Sequence, residues 1–189
     1  IYGGADPDWF CPAPRQQARE GVLFVGRLRP NKGVEYLIQA MPGDILLRVV
    51  GPPYDLDYLA KLRQLAEGKR VVFVLDASQD QLRHFYQSSR LVVIPSIGGE
   101  LVPLVLYEAM ACGLPVIATH IAGIPEVVTE GVHGFLVPPA DPEALRERIE
   151  YLLAHPQRAE EMGQAGRQRV LEHFTWEKVA GRCLQAYAM

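Results

Sequence analysis

Two cations stand five positions apart in the stretch GRLRPNKG, residues 26–33: Arg27 and Lys32. Gly26 closes an apolar run and Gly33 opens a helical pattern, so both side chains project from a loop that feeds a helix N-terminus. Backbone N–H groups already point outward at such a terminus, and a guanidinium and an ammonium beside them make an anion site. Lysine is scarce here: Lys32, Lys61, Lys69 and Lys178 stand against a majority of arginines, so a lysine in this loop is not surface filler. The order is not that of a P-loop, which needs G-x-x-x-x-G-K-[ST]. A solvated loop with a surface ion pair would show the same residues, and at this point the two readings stand level.

A second constellation lies in PSIGGELVPLVLYEAMACGLPVIAT, residues 95–119. The helical pattern 103–112 is apolar almost all round, which marks a buried helix. Glu108 is its only charge, and a buried carboxylate needs an ion-pair or hydrogen-bond partner. An arginine would satisfy it structurally. Helical side chains lean toward the N-terminus, however, so Glu108 in the second turn points back along the helix. There it could accept both hydroxyls of a ribose, as the acidic residue of dinucleotide-binding folds does. Glu100 lies eight positions earlier, in a glycine-flanked loop at the mouth of the same helix. A loop carboxylate is usually just solvated; its interest comes from that position. The first N–H groups of the helix, at Leu104 and Val105, could hold a phosphate. The loop HIAGIPEVV, residues 120–128, carries ordinary cap chemistry and a weaker ligand signal.

The elements that would position these residues alternate along the chain. Strand candidates are 21–26, 44–51, 70–75, 90–95, 115–119 and 134–138, dense in Val, Ile, Leu and Phe with little polar alternation. Parallel strands covered on both faces read this way. Helical patterns fall at 33–41, 55–67, 80–88, 103–112, 124–129 and 141–154, with Ser78 and Asp141 as caps and Pro142 at a first helical position. The βαβ alternation predicts an α/β fold, a doubly wound parallel sheet of Rossmann-like topology. Ligands then bind beyond the carboxyl ends of the strands, where the loops after Gly26 and Pro95 lie.

The chain is bounded by a turn-rich opening and a helical tail. Residues 1–20 read as a connector, residues 21–174 as the Rossmann-like domain and residues 175–189 as a terminal helix. Its stripe of Trp176, Val179, Cys183 and Leu184 needs an apolar surface, on this domain or on another. A first residue Ile1 and a connector-like start suggest a chain continuing upstream, with a processed N-terminus as the alternative.

Composition excludes several classes. A hydrophobic fraction of 49% with 22% charged residues is that of a folded globular protein. A formal charge of −3 argues against a nucleic-acid binder. No apolar run is long enough for a transmembrane segment. Cys11, Cys112 and Cys183 show no C-x-x-C spacing, which reads as reduced thiols in a cytoplasmic protein.

Together the pieces FVGRLRPNKGVEYLIQAM, PSIGGELVPLVLYEAMACGLPVIAT and AGIPEVVTEGVHGFLVPPADPEAL resemble retaining glycosyltransferases of GT-B architecture, of the glycosyltransferase family 4 type. The resemblance runs through nearly the whole chain, including the ending FTWEKVAGRCLQAY. It implies the second of two Rossmann-like domains, the one that binds a nucleotide-sugar donor such as a UDP-sugar, partnered by an N-terminal acceptor-binding domain. By the same resemblance Gly26, Arg27 and Lys32, with Leu104 and Val105, would hold the donor diphosphate. Glu100 and Glu108 match an E-x7-E motif: Glu100 is expected near the donor sugar as the catalytic carboxylate, and Glu108 on the ribose. No metal or other cofactor is expected, since fixed cations would neutralise the leaving diphosphate.

The match has departures. The family usually has Phe-Gly shortly after the first glutamate; here Val102-Pro103 stands there, and proline has no N–H to offer a sugar. GPPYD replaces a more glycine-rich turn, and Leu75-Asp76 stands where a glycine is common near the base pocket. Sugar and base preference therefore stay open. So do two other functions: a non-catalytic binding or scaffold domain, and a sugar-nucleotide epimerase or phosphorylase of the same architecture.

Overall fold

The computed structural model describes residues 3–13, 18–99 and 101–188. Six short strands form its centre: β1 (Val22–Val25), β2 (Leu47–Val50), β3 (Val71–Val74), β4 (Leu91–Ile94), β5 (Val116–Thr119) and β6 (Gly134–Val137). All pair in parallel, in the order β3-β2-β1-β4-β5-β6. The crossovers are α1 (Val34–Ala40), α2 (Leu56–Leu65), α3 (Gln79–Ser88), α4 (Leu104–Ala111) and α5 (Ile124–Val127). After the last strand come α6 (Pro142–Ala154), α7 (Pro156–His173) and α8 (Trp176–Tyr187). The α/β doubly wound expectation holds, and the strand order reverses between β1 and β4, where such folds open a crevice.

Strand alternation distributes the core to both faces of the sheet. Val22 and Phe24 pack into one cluster with Val34, Leu37 and Leu62. Leu23, one residue out of phase, joins the opposite cluster with Tyr86, Leu106 and Met110. The central strand β4 is therefore buried throughout, whereas Val72 on the edge strand β3 is exposed. That is why β4 reads as an unbroken apolar run.

The caps formed as the residues required. Ser78 and Gln81 make a reciprocal capping box on α3, and Asp141 accepts from the amides of Glu143 and Ala144 on α6. Thr175 likewise caps α8 through the Lys178 amide. Within the connector, residues 3–13 are not loose: Ala5 and Phe10 are buried, and the Ala5 amide bonds to the Phe174 carbonyl at 2.9 Å. Residues near the start of the chain thus lie beside the residue that caps α8. The apolar stripe of α8 is only partly covered. Val179 is buried and Cys183 half-buried, but Trp176 and Leu184 are exposed, the latter at 71%. Among the described residues no helix is long and apolar enough to cross a membrane.

Candidate functional site

Loops converge at the carboxyl ends of β1, β2 and β4. Gly26 ends β1 with its amide on the Val50 carbonyl, and Gly51 ends β2 with its amide on the Val74 carbonyl. A Cβ on Gly51 would come within 2.2 Å of the Gly26 carbonyl oxygen, so the two turns touch backbone to backbone. The loop between β1 and α1 then makes a single 3-10 turn, Pro30–Lys32, before Gly33. Gly33 is left-handed (φ 67°), and a Cβ there would sit 1.9 Å from the Pro95 carbonyl oxygen. Only glycine lets the loop lie this close to the end of β4.

Two hydrogen bonds fasten that approach. The Ile97 amide donates to the Asn31 carbonyl at 2.8 Å, and Asn31 Nδ2 donates to the Gly98 carbonyl at 3.3 Å. On the other side of the loop, Leu28 pairs with Pro53 in a short parallel bridge, and the Arg29 guanidinium lies 4.0 Å from the Tyr54 ring centroid. Lys32 runs over the Gly26 turn, its Cε 4.0 Å from where a Gly26 Cβ would be. Burial is the main cause that lowers the Lys32 pKa, and the nearby charges of Arg27 and Arg29 lower it further. Three cations are thus crowded at one strand end. The other lysines with recorded contacts serve the fold. Lys69 caps α1 by donating to the Ile38, Gln39 and Met41 carbonyls, and Lys61 pairs with Glu35.

Helix α4 starts at the same end of the sheet, behind the loop that follows β4. Thr119 Oγ1 donates to the Ser96 carbonyl at 2.6 Å, and the Gly123 amide donates to the Leu101 carbonyl at 3.0 Å. These tie the loops after β4 and β5 together. Pro103 is the N-cap, so the first amides of the helix are those of Leu104 and Val105, and among the described residues neither has a backbone acceptor. Burial of α4 is not uniform, contrary to the sequence expectation. Leu106, Tyr107, Ala109, Met110 and Ala111 are fully buried, but Leu104 in the first turn is 48% exposed. Glu100 lies outside the described residues.

Glu108 is half-buried, as its place on an apolar helix required. Its recorded partner is not an arginine: the Tyr86 hydroxyl donates to Glu108 Oε2 at 2.7 Å. Burial raises the carboxyl pKa above its ordinary value, and the tyrosine bond works in the opposite direction. Tyr86 falls inside the helical pattern 80–88, with nothing local to mark it as a partner of Glu108. The available signal was a pair of needs, a buried phenol wanting an acceptor and a buried carboxylate wanting a donor.

The raised pKa has a measurable consequence. Folding lets the Glu108 carboxyl keep its proton more tightly than the unfolded chain does. Its contribution to stability is complete below the ordinary carboxyl pKa and is lost as pH rises through the raised folded value. Glu108→Gln, which can still accept from Tyr86, is therefore expected to melt at a higher temperature than the parent at pH 7. The gap should close as pH falls into the ordinary carboxyl range. Melting curves across that range check it, and a variant less stable at every pH would show the carboxylate fully compensated.

Among the described residues no three His, Cys, Asp or Glu side chains gather as a metal site would require. The loop 26–33 brings the cations Arg27, Arg29 and Lys32 to this strand end.

Comparison with known proteins follows this geometry. A family model described as "Glycosyl transferases group 1" matches residues 8–169. The alpha-maltose-1-phosphate synthase of Mycolicibacterium smegmatis is 36% identical over 183 residues, covering 88% of this chain and 47% of that protein. The structure of HepE from Anabaena in complex with UDP superposes with a TM-score of 0.91 at 26% identity, over 100% of this chain and 56% of that one. A structure described as the C-terminal domain of a glycosyl transferase group 1 family protein from Francisella tularensis matches with a TM-score of 0.82 at 25% identity. That match covers 92% of this chain and 100% of the other. The chain spans about half the length of the curated relatives it matches.

Proposed function

The chain belongs to the glycosyl transferases group 1 family, and from that premise we propose that it binds the nucleotide-sugar donor for retaining glycosyl transfer. The acceptor would be held by an N-terminal domain of the same GT-B enzyme. One observation carries the reading: the cation-crowded loop 26–33 is hydrogen-bonded to the loop that leads into α4, the helix that bears Glu108. A diphosphate on the first and a ribose on the second would be parts of one ligand. The UDP held by the Anabaena relative supports this choice of ligand class.

In this reading Arg27 and Lys32 stabilise the negative charge that develops on the leaving diphosphate, together with the Leu104 and Val105 amides at the start of α4. Gly26 lets the phosphate approach the backbone. Glu108 accepts from the ribose hydroxyls, and Glu100 acts at the donor sugar. Fixed cations take the place of a metal, and the three free thiols fit a reducing compartment such as the cytoplasm. A second reading, a scaffold domain with a decayed site, is favoured by one feature: Pro103 at the N-cap has no N–H for a sugar hydroxyl.

A titration with UDP, ADP and GDP, and with one sugar-bearing donor, separates these. Glu108→Gln should weaken all three free diphosphates by roughly tenfold, because a charge-assisted contact common to every ribose is lost. Glu100→Gln should leave the free diphosphates nearly unchanged and act on the sugar-bearing donor alone. Equal effects of both on the plain nucleotide would reverse the assigned roles, and no nucleotide binding at all would favour the scaffold.

A further inference from the structure

Tyr86 stands on the last turns of α3 with its side chain completely buried. A phenol in that position must find a polar partner, and the partner it finds is a carboxylate of the proposed ligand site, 22 residues away on another helix. The ring is fixed independently of that bond. Phe10 meets it edge-on, with centroids 5.7 Å apart and planes at 88°. The hydroxyl is therefore a donor whose place is set by the core and not by the ligand. It holds Oε2 of Glu108, and among the described residues Oε1 has no hydrogen-bond partner.

We propose that Tyr86 is a positioning residue for nucleotide recognition: its buried hydroxyl fixes one oxygen of Glu108 so that the other is presented to the ribose hydroxyls. The inference rests on the ribose role of Glu108 proposed above. A carboxylate anchored at one oxygen loses less freedom on binding than one that must be ordered by the ligand. The same bond favours the ionised form of the carboxylate. Burial favours the proton on Glu108, and the tyrosine bond opposes it. The other titratable group near the pair, Cys112 at the C-cap of α4, has its thiol pushed up to about 12 by burial and stays neutral. Tyr86 itself is held well above its ordinary value by burial and by Glu108. Loss of the hydroxyl should then move the protonation of Glu108 to higher pH.

The test compares parent, Glu108→Gln and Tyr86→Phe for binding of ADP, 2′,3′-dideoxy-ADP and inorganic pyrophosphate across a pH series. Tyr86→Phe keeps the ring and its contact with Phe10. It should lower ADP affinity about fivefold, leave the dideoxy compound and pyrophosphate unchanged, and shift upward the pH below which the preference for ribose disappears. A variant that weakens all three ligands alike would show a merely structural role and overturn the proposal. So would one that keeps the full ribose preference and an unshifted pH profile while Glu108→Gln loses that preference. If the parent binds ADP and its dideoxy form equally, the ribose reading of Glu108 itself fails, and the role of Tyr86 with it. Should Tyr86→Phe not fold, Tyr86→3-fluorotyrosine retains the hydroxyl as a stronger donor, and it should shift the same pH profile downward; no shift would overturn the proposal.

Discussion

Alanine at Arg27 or Lys32 is expected to lower affinity for a nucleoside diphosphate by roughly ten- to a hundredfold, since each replacement deletes a charge-assisted hydrogen bond worth about 1.5–3 kcal/mol. Folding should hardly notice. Lys32 is half-buried, and burial together with the like charges of Arg27 and Arg29 lowers its pKa, so its charged form is not favoured by its place in the fold. The turn that carries it is set by Pro30 and by the left-handed Gly33, neither of which is changed. Two further signatures distinguish a phosphate contact from a general loosening. Affinity should fall as pH rises through the lowered Lys32 pKa, because the neutral amine no longer attracts the phosphate. It should also weaken with salt more steeply in the parent than in either variant, since each variant has one charge fewer facing the ligand. Calorimetry on parent and variants with one nucleoside diphosphate measures all three effects. Unchanged affinity in both variants would remove the loop 26–33 from the proposed site.

What the sequence disclosed about this site, and what it withheld, follows from the range of the interactions. The central strand β4 was legible because it is buried on both faces, which leaves an unbroken apolar run. Helix starts were legible where the cap is local: Ser78 with Gln81, and Asp141 with Pro142. The cations of the first loop were legible because β1 and a helix pattern bracket them. The tail stripe was legible as a surface in need of a partner, and α8 indeed leaves Trp176 and Leu184 exposed.

The rest depends on contacts between segments distant in sequence. Asn31 and Gly98 are 67 residues apart, and no periodicity links them. Tyr86 and Glu108 are on different helices, so each showed an unmet need but not its answer. The even burial expected for α4 failed at Leu104, because apolar composition does not say which turns of a helix the rest of the chain covers. That exposed first turn is the end of the helix where a phosphate would approach.

This chain on its own is expected to bind a nucleoside-diphosphate sugar but to transfer no sugar to any acceptor. Glycosyl transfer needs donor and acceptor in one cleft, with water kept out while the bond changes hands. A single Rossmann-like sheet offers one wall of such a cleft, the loops at its strand ends. Three observations fit a second wall supplied by an N-terminal domain. Leu101 and Leu104 stand exposed at the mouth of the proposed site. Ala5 lies beside Thr175, so a segment before Ala5 and helix α8 would reach such a domain from neighbouring points. Helix α8 presents Trp176, Leu184 and Tyr187 to the outside, the last at 87%. Turnover is measured with a panel of donors on this chain alone and on a protein that joins it to an N-terminal domain of the family. Only the joined protein should turn over, and its α8 stripe should become protected from solvent. Binding of the donor by this chain should survive EDTA, because Arg27 and Lys32 supply the charge a divalent ion would otherwise bring. Repeated turnover by this chain alone would overturn the half-enzyme reading, and binding abolished by EDTA would overturn the metal-free one.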